Sequence, residues 1–205
     1  MQNSKEKIIE AAIEVFFEKG FDAASMREIA EKAGLTKPMI YYHFKNKEAL
    51  YVALLEENLA LFCRGLESLL TSDSDPMMTL SAIIDLFEPT FARGAKVYNI
   101  IQREISGNGH YVALLTEKYF IKVSQLIAGF FQQGQQKGCI RPDLDAQLAE
   151  MSLVSILLFY FSQENVFQHM GRSLNTRVYE RAAFKNHIVN LFTVGKPITA
   201  TGELT

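Results

Sequence analysis

Apolar residues recur every three or four positions along almost the whole chain, and no stretch of β-branched residues alternates with period two. The pattern predicts an all-α fold. Ser4 caps a first helix whose positions Ile8, Ile9, Ala12, Ile13, Phe16 and Phe17 form one stripe, with Gly20 as the stop. Glu6, Glu10, Glu14 and Glu18 line its solvated face. Ser25 and Glu28 form a capping box that opens a short helix through Ala33, ended by Gly34. Thr36 caps another from Lys37 to about His43, which tolerates Pro38 because the first helical turn has no N–H bonds to lose. Asn46 caps a long fourth helix carrying Leu50, Leu54, Leu61, Phe62, Gly65, Leu66 and Leu69, and the polar break Thr71-Ser72-Asp73-Ser74-Asp75 ends it.

Asp75-Pro76 restarts the chain with a cap and a first-turn proline. Helices follow over about 76–92, 95–106 and 109–137, separated by Gly94 and by Gly107-Asn108-Gly109, and Gly138 and Pro142 mark the next break. Two more run over about 145–169 and 177–194, for nine helices in all, and the tail from Lys196 to Thr205 reads as frayed. The stretch Met151–Gln163 holds thirteen residues without a charge. A membrane-spanning helix needs about 20, so this is a buried core or interface helix. From Met151 to Phe161 it is apolar around its whole circumference; its own core can cover one side, and the other wants a second subunit.

Composition narrows the class. The 205 residues are 48% hydrophobic and 21% charged, enough to build one large or two small cores and too little net charge for disorder. Cys63 and Cys139 lie far apart and read as free thiols, and His43, His110, His169 and His187 are scattered, so no disulfide framework and no metal site are expected. No nucleophile–base pair, metal set or phosphate-cradling loop stands out, so neither an enzyme nor a cofactor is expected. The chain opens without a basic-then-apolar leader, which predicts a cytoplasmic protein with no membrane partner.

Charge is distributed unevenly. Through Lys47 there are eight Lys and Arg against seven acids, and thirteen against sixteen in the remainder. Thr36 to Lys47 holds three lysines, His43 and two tyrosines with no acid, on the second half of two short capped helices joined by a glycine turn, the frame of a helix-turn-helix. Ile29, Ala33, Leu35, Ile40 and Phe44 can form a miniature core against the first helix. Pro38, Met39, Tyr41 and Tyr42 then project outward, an odd set to show to water. Arg27, Lys37 and Lys47 each sit in the first turn of a helix, where the positive end of the macrodipole disfavours a cation. One such side chain can bend back into water; three in one frame point to phosphate approaching those helix starts.

The run from Ser25 to Leu50, with Ile29-Ala30 and Ala33-Gly34 followed by Tyr41-Tyr42, Phe44, Asn46-Lys47 and Leu50, resembles the DNA-binding signature of TetR-family transcriptional regulators, and the match extends over about Lys5 to Leu54. The resemblance implies a helix-turn-helix DNA-binding domain at 1–47 and a helical regulatory and dimerisation domain at 48–205. It implies a homodimer on a near-palindromic double-stranded DNA operator, with half-site centres about 34–36 Å apart or a little more. Base contacts would come from Arg27, Lys37, Pro38 and Tyr41, and phosphate contacts from Thr36, Tyr42, His43 and Lys47, with Lys45 beside them. Met39 departs from the small residue that many relatives carry there.

The resemblance further implies dimerisation through the last two long helices, the second offering Phe184, Ile188, Leu191 and Phe192, and a small-molecule cavity in the body. Candidate lining residues are Phe62, Phe87, Phe91, Tyr98, Ile101, Gln102, Tyr119, Phe120, Val123, Ile127 and Phe159, with Arg103, Glu104 and His110 as polar anchors. Fifteen phenylalanines and no tryptophan suit an apolar or aromatic effector. The expected function is a ligand-released repressor. A ligand-independent architectural or division-control protein of the same fold is the alternative.

Overall fold

The computed structural model describes residues 4–71, 74–92, 95–107, 109–174, 176–177 and 180–194, with the side chains of 88–92, 95 and 164 left aside. The expected breaks at Ser72-Asp73, Gly94 and Asn108 and the tail from Lys196 lie outside the described residues, as does the side chain of Phe91. Among those residues the fold is all helical. The helices are α1 (Ser4–Ala23), α2 (Met26–Ala33), α3 (Lys37–His43), α4 (Lys47–Leu70), α5 (Pro76–Ala92), α6 (Ala95–Ser106), α7 (Val112–Leu115), α8 (Ile121–Gln136), α9 (Ala146–Ser162), α10 (Glu164–Ser173) and α11 (Arg181–Phe192). A π turn, Thr116–Phe120, joins α7 to α8, with the Ile121 N–H donating to Thr116 O. The sole extended pairing among described residues is an isolated bridge from Ile140 to Thr193. No helix among them is long and apolar enough to cross a membrane.

Two differences from the expected nine helices have physical causes. The 109–137 segment contains the π turn, an extra residue in the helical repeat that hydrophobic spacing cannot reveal. The 145–169 segment breaks at Gln163, whose φ of −109° and ψ of 12° leave the helical region. The break lets the Phe167 ring stack on Tyr160 (5.6 Å, 14°), which in turn stacks on Phe184 of α11 (3.6 Å, 5°). Aromatic packing across three helices thus sets a boundary that no glycine or proline announces.

The chain divides into two compact units, Met1–Gly65 with Pro89–Lys122 and Leu66–Glu88 with Val123–Thr205. The first has a core of Ile8, Ala12, Phe16, Ile29, Ile40, Leu50 and Leu54, joined by Val97, Ile100 and Ile101 of α6 and by Leu115. Helix α6 therefore packs with the head, an association that a boundary after residue 47 does not convey. It is also tied to α1 by Lys96 to Glu14 and by Arg103, whose Nη1 donates to Phe17 O at 2.7 Å. The second unit buries Leu66, Leu80, Ile83, Ile84, Ile127, Phe131, Leu153, Leu157 and Ile188. Asp145 caps α9 by accepting from the N–H groups of Gln147 and Leu148.

Candidate nucleic-acid interface

Local chemistry places the two short helices. Ser25 is extended, its hydroxyl accepts from Glu28 N, and the Glu28 carboxylate accepts from Ser25 N, so the expected capping box is formed at both ends. A hydrogen bond from Lys19, reinforced by Ser25, holds the Glu28 carboxyl below the usual carboxylate range. At the far end Gly34 adopts φ 65°, ψ 31°, its N–H donates to Glu31 O, and Leu35 N donates to Ala30 O at 3.0 Å. This left-handed turn satisfies the last carbonyls of α2 and swings the chain into α3.

Helix α3 starts at the extended Thr36, whose backbone carbonyl accepts from Met39 and Ile40 while its hydroxyl makes no cap bond. Ile40 is fully buried and Phe44 nearly so, against α1 and α2. Anchoring those two turns the rest of the helix outward. Tyr42 is 85% exposed, Tyr41 46% and Met39 39%, and Lys37 and Pro38 are exposed beside them. The Lys37 ammonium sits 5.8 Å from the Tyr41 ring centre. His43 is half-buried, with its ring edge-on to Tyr42 at 5.1 Å. Arg27, on the exposed first turn of α2, donates from Nε to Glu31 Oε1 at 2.9 Å.

Of the expected DNA contacts, Arg27, Thr36, Lys37, Pro38, Tyr41 and Tyr42 therefore share the exposed surface of α2 and α3, and His43 lies at its edge. Lys47 differs. Its ammonium donates to the backbone carbonyls of Phe21 (2.8 Å), Asp22 (3.2 Å) and Ala24 (3.1 Å) and lies 4.4 Å from the Phe21 ring centre. All three of its protons are engaged. Lys47 thus gathers the carbonyls at the end of α1, where Gly20 (φ 78°, ψ 175°) has already broken the helix. The start of α4 is capped as expected, by Asn46 Oδ1 accepting from Ala49 N at 2.8 Å.

The expected ligand residues are divided between the two units. Phe62, Tyr98, Ile101, Gln102, Tyr119 and Phe120 belong to the first unit, where Ile101 is core and Tyr119 and Phe120, in the π turn, pack against that core. Phe87, Val123 and Ile127 belong to the second, with Ile127 fully buried and Phe87 nearly so. Phe159, also of the second unit, is 63% exposed on α9. The three polar anchors have other work or face outward. Arg103 holds Phe17 O, Glu104 Oε1 accepts from the Tyr51 hydroxyl at 2.8 Å, and His110 is exposed, edge-on to Tyr111.

The family described as bacterial regulatory proteins, tetR family, matches residues 8–54, from the buried stripe of α1 through the first turns of α4. That segment of the chain is similar to the DNA-binding region of the tetR family. It is similar to the HTH-type transcriptional regulator UidR of Escherichia coli (strain K12), 29% identical over 159 residues that span 76% of this chain and 78% of that protein. The TetR-type fold extends past the match. The transcriptional regulator FadR from Bacillus subtilis, solved in complex with stearoyl-CoA, superposes with a TM-score of 0.71 at 22% identity, covering 93% of this chain and 98% of that one. AibR, solved in complex with isovaleryl coenzyme A and operator DNA, superposes at 0.67 and 22% identity, covering 92% and 97%.

Proposed function

We propose that the protein is a TetR-family regulator that represses transcription as a cytoplasmic homodimer on a near-palindromic operator and leaves the DNA when a small effector binds its helical body. The observation that carries the reading is the α3 surface: Ile40 and Phe44 are buried beneath it while Tyr41 and Tyr42 stand in solvent with Lys37 beside them. Arg27 and Lys37 donate to guanine O6 and N7, and Pro38 and the Tyr41 ring pack on thymine methyls. Thr36, whose hydroxyl is not used as a cap, joins Tyr42 and His43 on phosphates and sets register. Lys47 acts behind them by fixing where α1 ends.

The dimer reading is supported by α9, which buries Leu153 and Leu157 on one side and exposes Leu148, Met151 and Phe159 on the other, each more than half accessible. A second copy of α9 and α11 would cover that stripe. The effector is read as apolar or aromatic, and the acyl thioesters bound by FadR and AibR make that class the first to test. Its role is to bias the spacing of two heads, and a differential affinity of about 1–3 kcal/mol shifts occupancy several-fold to a hundredfold. The similar regulators support a non-enzymatic role.

The test is binding to genomic fragments followed by anisotropy on the fragment retained. Tyr41→Ala should lower specific affinity by about 10–100-fold, the worth of a base contact, while light scattering still reports a dimer. A monomer with no salt-sensitive retention on any fragment ends the proposal.

A further inference from the structure

The second unit contains a cleft of about 550 Å³ formed by the last turn of α4, the first turns of α5 and one face of α8. That volume lies within the range of small-molecule sites, about 300–1,000 Å³. None of the residues that the family resemblance marks for a ligand lines it. Its lining is mixed: Thr71, Thr79, Gln125, Gln133, Glu67 and Lys137 share its walls with Leu70 and Pro76. Leu126 and Phe130 supply an apolar strip.

The α8 wall carries an irregularity that the fold does not require. Gln125, Gly129 and Gln133 follow one another at i, i+4 spacing, so they form one ridge facing the cleft, with a side chain missing at its second position and Lys137 just past the helix end. A glycine inside a helix is less stable than alanine. At Gly134, one ridge over, the reason is plain, because a Cβ there would lie 2.4 Å from Ile140 Cδ1. At Gly129 a Cβ would meet nothing within 4 Å. The chain's own packing leaves this glycine unexplained, and it lies in the wall of the cleft.

We propose that the cleft is a small-molecule site in which the ligand lies against the α8 backbone at Gly129, and that the ligand is a neutral polyhydroxylated ring. Amides and hydroxyls that both donate and accept match a ligand that does the same. Glu67 and Lys137 carry opposite charges, so the lining has no net charge to favour an anion or a cation. The Leu126–Phe130 strip receives the ring's C–H face. This site is independent of the DNA-binding reading, and its test contains no DNA.

The experiment is calorimetric titration and thermal melting of the full-length protein with a panel of neutral monosaccharides and their methyl glycosides. At least one member should bind with a Kd of about 1 mM or tighter. Gly129→Ala should raise the Tm of the free protein by about 2 °C and weaken that ligand by about tenfold or more. Gln133→Ala should weaken it similarly with the free Tm little changed. The proposal is overturned by a panel in which nothing binds, by a Gly129→Ala protein that melts lower than the parent, or by ligand affinity that neither substitution alters.

Discussion

Replacing Tyr51 by phenylalanine isolates one buried hydrogen bond at the root of the DNA-binding head. Tyr51 is 3% exposed on the first turns of α4, and its ring packs on Phe16 (4.9 Å), Phe21 (4.8 Å) and Tyr111 (5.5 Å). Its hydroxyl donates to Glu104 Oε1 of α6 at 2.8 Å, while Glu104 Oε2 is buried without a partner. Burial first, and then the neighbouring carboxylate, push the Tyr51 phenol far above its ordinary value, so it remains a donor across the working pH range. Phenylalanine keeps the ring contacts and removes the one donor that the carboxylate has among the described residues. A hydrogen bond to a charged group contributes about 1.5–3 kcal/mol, so Tyr51→Phe should destabilise by about 2–3 kcal/mol and lower Tm by about 5–10 °C. Urea unfolding followed by circular dichroism reads the change as a lower midpoint with an unchanged slope. Glu104→Gln should lose less, because it also removes a charge with one unsatisfied oxygen. The double variant should then be milder than the sum of the two. A Tyr51→Phe protein within about 0.5 kcal/mol of the parent, or a Glu104→Gln protein that is the less stable of the two, refutes the reasoning.

Lys47→Ala should destabilise the head by about 1–2 kcal/mol through the three carbonyls it abandons, yet leave the salt dependence of DNA binding unchanged; a slope smaller by about 0.9 would instead identify a phosphate contact. Gly34→Ala places a side chain in free space at φ 65°, so its loss of about 1 kcal/mol is purely backbone strain and should appear in thermal melts without any change in oligomeric state. Acid should weaken the fold. Hydrogen bonds from Lys19 to Glu28, Lys96 to Glu14 and Arg141 to Asp143 lower the folded pKa of each carboxylate, so their contribution is complete above the ordinary carboxylate range and is lost as pH falls through the depressed values. Melting temperature should accordingly drop below about pH 4.5, and a flat profile down to pH 3 would exclude that origin.

Local signals were the most legible part of the chain. The capping box at Ser25, the glycine turn at Gly34 and the caps at Asn46 and Asp75 involve partners close in sequence and form as their residue types require, whereas the hydroxyl of Thr36, also expected as a cap, makes no cap bond. The inward set Ile29, Ile40 and Phe44 followed from helical spacing alone, with Ala33 and Leu35 only partly buried. What sequence could not show depends on distant partners. Lys47 reads as a cation misplaced at a helix start until α1, 23 to 26 residues earlier, supplies its carbonyls. Glu104 reads as a cavity anchor until Tyr51 claims it. Phe159 reads as lining because an apolar helix hides which of its faces turns outward. Nor does counting aromatics separate a core residue such as Ile127 from a cavity wall, whereas an unexplained glycine in α8 becomes visible only with its neighbours in place.

The lesson for DNA recognition lies in the length of α3. Seven residues are far fewer than an isolated helix needs to persist in water, about 12–15. Its side chains can therefore meet base edges reproducibly only because other parts of the head define it. Ile40 and Phe44 are clamped from beneath, Gly34 fixes the entry, and the end of α1 is gathered by Lys47, which also packs over Phe21. Phe21 in turn touches Tyr51, and Tyr51 is bonded to α6. A substitution along that chain of contacts should weaken operator binding without removing any contact to DNA. The signature that separates it from a lost phosphate contact is an unchanged salt slope beside a lowered affinity, and the signature that separates it from a lost base contact is equal weakening on every operator sequence.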